Sequence, residues 1–174
     1  METDQNAIAK NKLLLLYIMQ KAAIKISDNR LISICNDLSL MDYFDLSTSL
    51  SELEENGLIQ RTQSINGTFY QIGEMGISTL EFFEKELRMS QRQRIAAYCE
   101  EQREAMRMES QLFAEYIRLG EHQFRVTLRI LENDVTSFEI NFFAATKAEA
   151  DRLVQGWKKN AMEAYHKVFE TLLA

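Results

Sequence analysis

Leu58-Ile59-Gln60-Arg61-Thr62-Gln63-Ser64-Ile65-Asn66-Gly67-Thr68-Phe69-Tyr70-Gln71-Ile72 is the stretch that decides the fold. Two β-type runs flank Asn66-Gly67. That dipeptide is the strongest short hairpin signal, because both central residues of such a turn need positive φ. Three helical patterns precede it. The first, about 6–22, carries Ile8, Leu15, Met19 and Ala22 on one face and Leu13, Leu16 and Tyr17 on the other. A helix apolar nearly all round is buried on more than one side, so it is expected to pack its own domain and a second domain or subunit. Ser27 is placed to cap a second helix, 28–39, with Leu31, Ile34, Cys35 and Leu38 at helical spacing. After a break at 40–44, Asp45 or Ser47 is expected to cap a third helix with Leu46, Leu50 and Leu53 on one stripe, ended by Gly57.

Beyond the hairpin a helix resumes near Glu74, with Ile77, Leu80, Phe83 and Leu87 expected to face inward. The charged segment 91–110 reads as a connector or an oligomerisation helix. The last third changes period. Phe124, Val126, Leu128 and Ile130 alternate with Arg125, Thr127 and Arg129, as in a half-buried strand. Segments 112–119 and 135–143 are its expected neighbours. Thr146-x-x-Glu149 is a capping box opening a long helix with Ala150, Leu153, Trp157, Ala161, Ala164, Val168 and Leu172 on one side. The fold class is therefore α+β: an N-terminal domain (1–88), a connecting helix (89–110) and a β-β-β-α domain (111–174) with a three-stranded antiparallel sheet.

Three helices, a two-stranded hairpin and a further helix, in that order, make a winged helix-turn-helix. Leu53-x-x-x-Gly57-Leu58-Ile59 and Tyr70-Gln71-Ile72-Gly73-x-x-Gly76 resemble the patterns of PadR-like and MarR-like regulators. Gly73 stands where Thr is usual and weakens the following cap by roughly 1 kcal/mol or less. Across nearly the whole chain the closer resemblance is to an uncharacterised family of Gram-positive bacteria, a domain of unknown function described as winged-helix transcriptional regulators. Asn11-Lys12-Leu13-Leu14-Leu15-Leu16-Tyr17, Tyr43-Phe44-Asp45-Leu46-Ser47-x-x-Leu50-x-x-Leu53 and the strand-strand-strand-helix tail carry that likeness. It implies a fold and a class of activity, not a target. The β-rich tail separates the chain from PadR and MarR proteins, whose dimerisation elements are helical.

Such a fold places its third helix in the major groove. With Leu46, Leu50 and Leu53 inward, Thr48, Ser51, Glu52 and Glu55 point outward and Ser47 lies to one side. Ser47, Thr48 and Ser51 are the candidate base or phosphate contacts. Lys25 and Arg30 flank the start of the second helix as phosphate contacts, and Arg61, Gln63 and Asn66 lie on the wing. Against this, Glu52, Glu54 and Glu55 face or flank a polyanion. Residues 1–73 hold six basic and nine acidic side chains, a balance of −3, within a chain of net charge −6. The cluster Arg88, Arg92 and Arg94 is read as balancing Glu84 and Glu86.

The remaining composition narrows the function. Average usage is roughly 5% Pro; this chain of 174 residues has none, which favours long uninterrupted helices. The acidic start lacks the basic region of a signal peptide, the longest apolar run is seven residues (13–19), far short of a membrane span, and Cys35 and Cys99 read as buried thiols of a reducing, cytoplasmic setting. His122 and His166 have no ligand-spaced partners, and neither a phosphate loop nor a catalytic constellation is present, so no metal, cofactor or enzymatic activity is expected. Met75, Met89, Met106, Met108 and Met162 read as core or interface filling. The expected function is a homodimeric transcriptional regulator that binds double-stranded DNA, with no membrane association and any small-molecule effector unknown. The alternatives are a winged-helix protein-interaction module without DNA binding and a small-ligand sensor acting through the C-terminal domain.

Overall fold

A computed structural model of the chain describes residues 2–64, 67–132 and 135–174. The Asn66 turn residue and the turn at 133–134 lie outside the described residues. The described elements are mixed α and β, and the chain divides into two compact units after Ser110. No described helix is long and apolar enough to cross a membrane.

The first unit, 1–110, is built around α1 (Glu2–Ala22). Leu14, Leu15, Leu16, Tyr17, Ile18 and Met19 are all buried, so this helix has no solvent side along its centre. α3 (Tyr43–Glu55) and α4 (Glu74–Phe83) pack on one part of it and α5 (Met89–Glu101) on another. Burying each such apolar aliphatic side chain is worth about 1.5–3 kcal/mol, and α1 supplies five of them beside the buried Tyr17. The second cover that the sequence assigned to another domain or subunit is thus α5 of the same unit. The charged segment read as one connecting helix forms two, α5 and α6 (Arg103–Gln111), whose Ile95, Cys99 and Met106 join the core around α1.

Between α1 and α4 the chain makes β1 (Ile26–Ser27), α2 (Asp28–Asp37), α3, β2 (Ile59–Ser64) and β3 (Gly67–Ile72). The three strands form an antiparallel sheet in the order β1-β3-β2, with Arg61 opposite Tyr70 and Ile26 opposite Tyr70 from the other side. Ser27 caps α2, its Oγ accepting from the Arg30 amide at 3.1 Å. α3 starts earlier than expected. Its cap is Asp42, which accepts from the Asp45 amide at 2.9 Å, so Tyr43 and Phe44 belong to the first turn. Gly57 takes φ of 70° immediately after α3, a conformation that glycine adopts without a Cβ penalty.

α4 departs from its expected stripe. Leu80 is buried, and so is Leu87, which follows the short 3-10 turn Glu84–Glu86. Ile77 and Phe83 are exposed, against the expectation of inward packing, and Met75 and Met89 lie at the surface and not in the core. The reason is Gly76. A Cβ there would lie 2.2 Å from the Leu58 carbonyl oxygen, so α4 approaches the base of the hairpin through the glycine. That rotates its inward side away from Ile77. Cys35 and Cys99 are free and buried, and burial pushes their thiols up to about 12 and about 11.

The second unit, 111–174, is a sheet of β4 (Leu112–Gly120), β5 (Gln123–Glu132) and β6 (Val135–Ala144), antiparallel in that order, covered on one face by α7 (Lys147–Leu173). The alternation expected of β5 holds: Phe124, Val126, Leu128 and Ile130 are buried beneath α7. The capping box forms, with the Glu149 amide donating to Thr146 Oγ1 at 3.1 Å and Glu149 Oε2 accepting from the Ala145 amide at 3.0 Å. Trp157 is buried and its Nε1–H donates to the Arg129 carbonyl at 3.3 Å. The apolar side of α7 is buried or half-buried only as far as Ala164, and Val168 and Leu172 are exposed. On the other face of the sheet Thr127, Asn141, Glu139 and Arg129 form a hydrogen-bonded chain. Asn141 and Arg129 hold the Glu139 carboxyl below its usual range.

Two substitutions of opposite sign test this packing. Gly76→Ala should destabilise the chain by about 1–3 kcal/mol, since the added methyl meets backbone. Ser49→Ala should stabilise it by about 1 kcal/mol, because Ser49 Oγ is buried without a partner on a core-facing side of α3. Chemical denaturation of both variants measures the difference.

Candidate functional site

α3, β2, β3 and the start of α2 enclose a polar cleft of about 270 Å³. Ser47, Ser51 and Glu54 come from α3, Arg61 from β2, Thr68 and Tyr70 from β3, and Asp28 from α2, with Tyr43, Leu46 and Leu50 completing the walls. Helical spacing brings Ser47, Ser51 and Glu54 to one side of α3. The β2–β3 register sets Arg61 beside Tyr70 and, two residues on, Gln63 beside Thr68 on the same side.

Three of the expected contact residues therefore share one cleft: Ser47, Ser51 and Arg61. Thr48 is exposed on α3 outside it, and Gln63 is exposed further along β2. Asn66 lies outside the described residues. Lys25 is half-buried just before β1. Arg30 is already engaged: its guanidinium forms a two-pronged pair with Glu109 of α6, with Nε 3.3 Å from Oε2 and Nη2 on Oε1. That hydrogen bond is the main reason the Arg30 guanidinium holds its proton more tightly than usual. Ser51 Oγ donates to Glu55 Oε1 at 3.2 Å, and Lys12 pairs with Glu52 at 2.8 Å. Arg92 pairs with Glu84 at 3.0 Å, and Arg94 donates to the Leu38 carbonyl at the end of α2.

The cleft's charge is mixed. Burial is the main cause that pushes the Tyr70 phenol above its ordinary value; Asp28 and Glu54 push it further and Arg61 pulls it back. Asp28 and Glu54 thus set a negative field that Arg61 only partly offsets. Next to the cleft, Tyr43 and Phe44 meet edge to face, centroids 6.0 Å apart, and both are exposed, Phe44 at 79%. These two aromatic residues fall in a stretch that the sequence reads as a break. The spacing of Asp42 and Asp45 was the available signal, an N-cap with an acid three residues on. The carboxylates facing Tyr70 had no local signal, because Asp28 and Tyr70 are brought together only by β1 pairing with β3.

Among the described residues no group of three or more His, Cys, Asp or Glu side chains is placed to hold a metal ion. Comparison with known families gives a match over residues 11–172 to the family described as Domain of unknown function (DUF4364). The chain belongs to that family. Its model spans both units, so the family is defined by the pair and not by the cleft-bearing unit alone. No curated protein and no solved structure matches the chain.

The field in the cleft is measurable. Tyr70 is a group whose folded value is raised, so its contribution to stability is complete below an ordinary phenol value of about 10 and is lost as pH rises through the folded value. Glu54→Gln should lower the Tyr70 transition and Arg61→Ala should raise it. Ultraviolet titration, with Tyr70→Phe to identify the signal, reads both.

Proposed function

We propose that the first unit is a winged helix-turn-helix and that the protein binds duplex DNA as a homodimeric transcriptional regulator. The observation that carries this reading is the order α1-β1-α2-α3-β2-β3-α4 with an uncovered outer side of α3 beside the hairpin. In that arrangement α3 enters the major groove and the β2–β3 hairpin is the wing. Ser47, Thr48 and Ser51 meet base edges or phosphates, the exposed Tyr43 and Phe44 pack on sugars or base methyls, and Arg61 and Gln63 hold the backbone. Arg30 serves as an internal ion-pair partner for Glu109 and not as a phosphate contact. Lys25 completes the candidate surface, and Asn66 is kept as a contact on the sequence alone. No cofactor or enzymatic step enters this reading, and its setting is cytoplasmic.

A second reading is favoured by one specific observation. Asp42 and Asp45 flank the exposed Tyr43–Phe44 pair, and Glu54 shares the cleft with Tyr43. Aromatic side chains flanked by acids suit a protein partner with a basic surface better than a polyanion. In this reading the winged helix is retained as an interaction module.

Titration with random-sequence duplex DNA at two salt concentrations separates the two. A DNA binder should show weak affinity that falls steeply with salt. Arg61→Ala should weaken binding to all sequences alike and reduce the salt slope by about 1. Absence of binding at about 50 mM salt, where counterion release strongly favours association, by a folded and dimeric protein would remove the DNA reading and leave the interaction module.

A further inference from the structure

The sheet of the second unit ends in a strand whose outer edge is unpaired. β6 (Val135–Ala144) pairs with β5, and among the described residues no strand lies on its other side. α7 packs mainly over β4 and β5 and less over β6. Sheets usually blunt such an edge by brevity, lysine, proline or a covering element. β6 has ten residues, no Lys, no Pro and a single charge, Glu139. Only Ala144 in it is buried. One irregularity in its pairing, between Ile130 and Leu131 of β5, sets Ser137 out of register and leaves 138–144 regular.

We propose that β6 pairs antiparallel with β6 of a second copy of this chain, about a two-fold axis at Ile140, to give a continuous six-stranded sheet. The register follows from the two faces of the strand. Phe138, Ile140 and Phe142 stand opposite the buried Ile130, Leu128 and Val126 and share the face that carries α7. Glu139, Asn141 and Phe143 share the other. An odd shift would set apolar residues of one copy against the polar face of the next. Among the face-preserving registers, an axis at Glu139 opposes two like charges, and an axis at Asn141 opposes Glu139 to Phe143. An axis at Ile140 sets Glu139 opposite Asn141, an amide, and Phe138 opposite Phe142, with Ile140 against itself. Charge and apolar matching therefore favour the Ile140 axis over the two beside it, and it also pairs nearly the whole of β6, 136–144, in an isologous interface. The apolar groove of about 430 Å³ beside β6, lined by Phe138, Ile140, Phe142, Leu153 and Trp157, gains a continued floor from the second copy's strand.

This deepens the dimeric part of the proposed function and does not depend on DNA binding. The full chain should sediment at micromolar concentration with twice its mass of 20.3 kDa. Ile140→Cys should give a reducible covalent dimer under mild oxidation, because directly opposed cross-strand Cβ atoms lie about 4.5–5.5 Å apart, within a small shift of disulfide geometry. Thr136→Cys should not, since residue 136 faces residue 144 in this register. The native thiols are buried and do not compete. Ile140→Lys and Ile140→Glu should each be monomeric, and their equimolar mixture should recover the dimer, because opposite charges then meet on the axis. A monomeric wild-type chain overturns the proposal, and so does a dimer that fails to cross-link at residue 140. If the charged variants do not fold by circular dichroism, the cysteine result decides alone. A monomer that binds DNA would sink this pairing and spare the DNA reading; a cross-linked dimer that ignores DNA would do the reverse.

Discussion

The segment from Leu13 to Met19 has no side that tolerates water, and the first unit is organised by that constraint. An isolated helix of this kind would be insoluble. It needs cover from several directions, and no single partner helix can supply it, because one helix contact shields only a stripe. The chain answers with α3 and α4 on one part and α5 on another. Everything functional in the unit hangs on this. α3 spends Leu46, Leu50 and Leu53 on the cover and so turns Ser47, Thr48 and Ser51 outward.

The same constraint explains what could be read from the sequence and what could not. Local signals were reliable where one element contained its own evidence. The alternation of 124–130, the Thr146-x-x-Glu149 box and the Ser27 cap all appear as expected. Readings failed where the deciding partner was distant. β1 is two residues long and exists only because Ile26 and Ser27 meet Tyr70 and Phe69; no periodicity can show in two residues. The inward side of α4 is set by the approach of Gly76 to Leu58, not by the spacing of its own apolar residues. The charged look of 89–110 concealed Ile95, which joins the expected Cys99 and Met106 in the core around α1, three positions spread thinly over two helices.

The candidate surface shows the same division. Helical and strand periods marked Ser47, Ser51 and Arg61 as candidate contacts, and folding sets all three around one cleft. They could not show that Arg30 is spent on Glu109, a residue 79 positions away. Nor could they show that Asp28 would face Tyr70 across the sheet. Formal charge counted along a chain treats every basic residue as available. Pairing in three dimensions engages Lys12 with Glu52 and Arg30 with Glu109, while Arg92 pairs with Glu84 as its charge balance suggested. The positive charge left on the outer side of α3 and the hairpin rests chiefly on Arg61, and electrostatics there depends on single residues rather than on a patch.

The base of the hairpin is fastened in three ways. The Gly73 amide donates to the Leu58 carbonyl at 2.9 Å, Gly76 brings α4 against the same oxygen, and Ile59 is buried opposite Ile72. None of these ties reaches the distal end. β1 adds a fourth hold further out, at Tyr70 and Phe69, so the inner half of β3 is tied on both sides. A change of length beyond Phe69 leaves these ties untouched, while a side chain added at residue 76 meets the Leu58 carbonyl directly. Variation in reach is mechanically cheap in this design, and variation in aim is not.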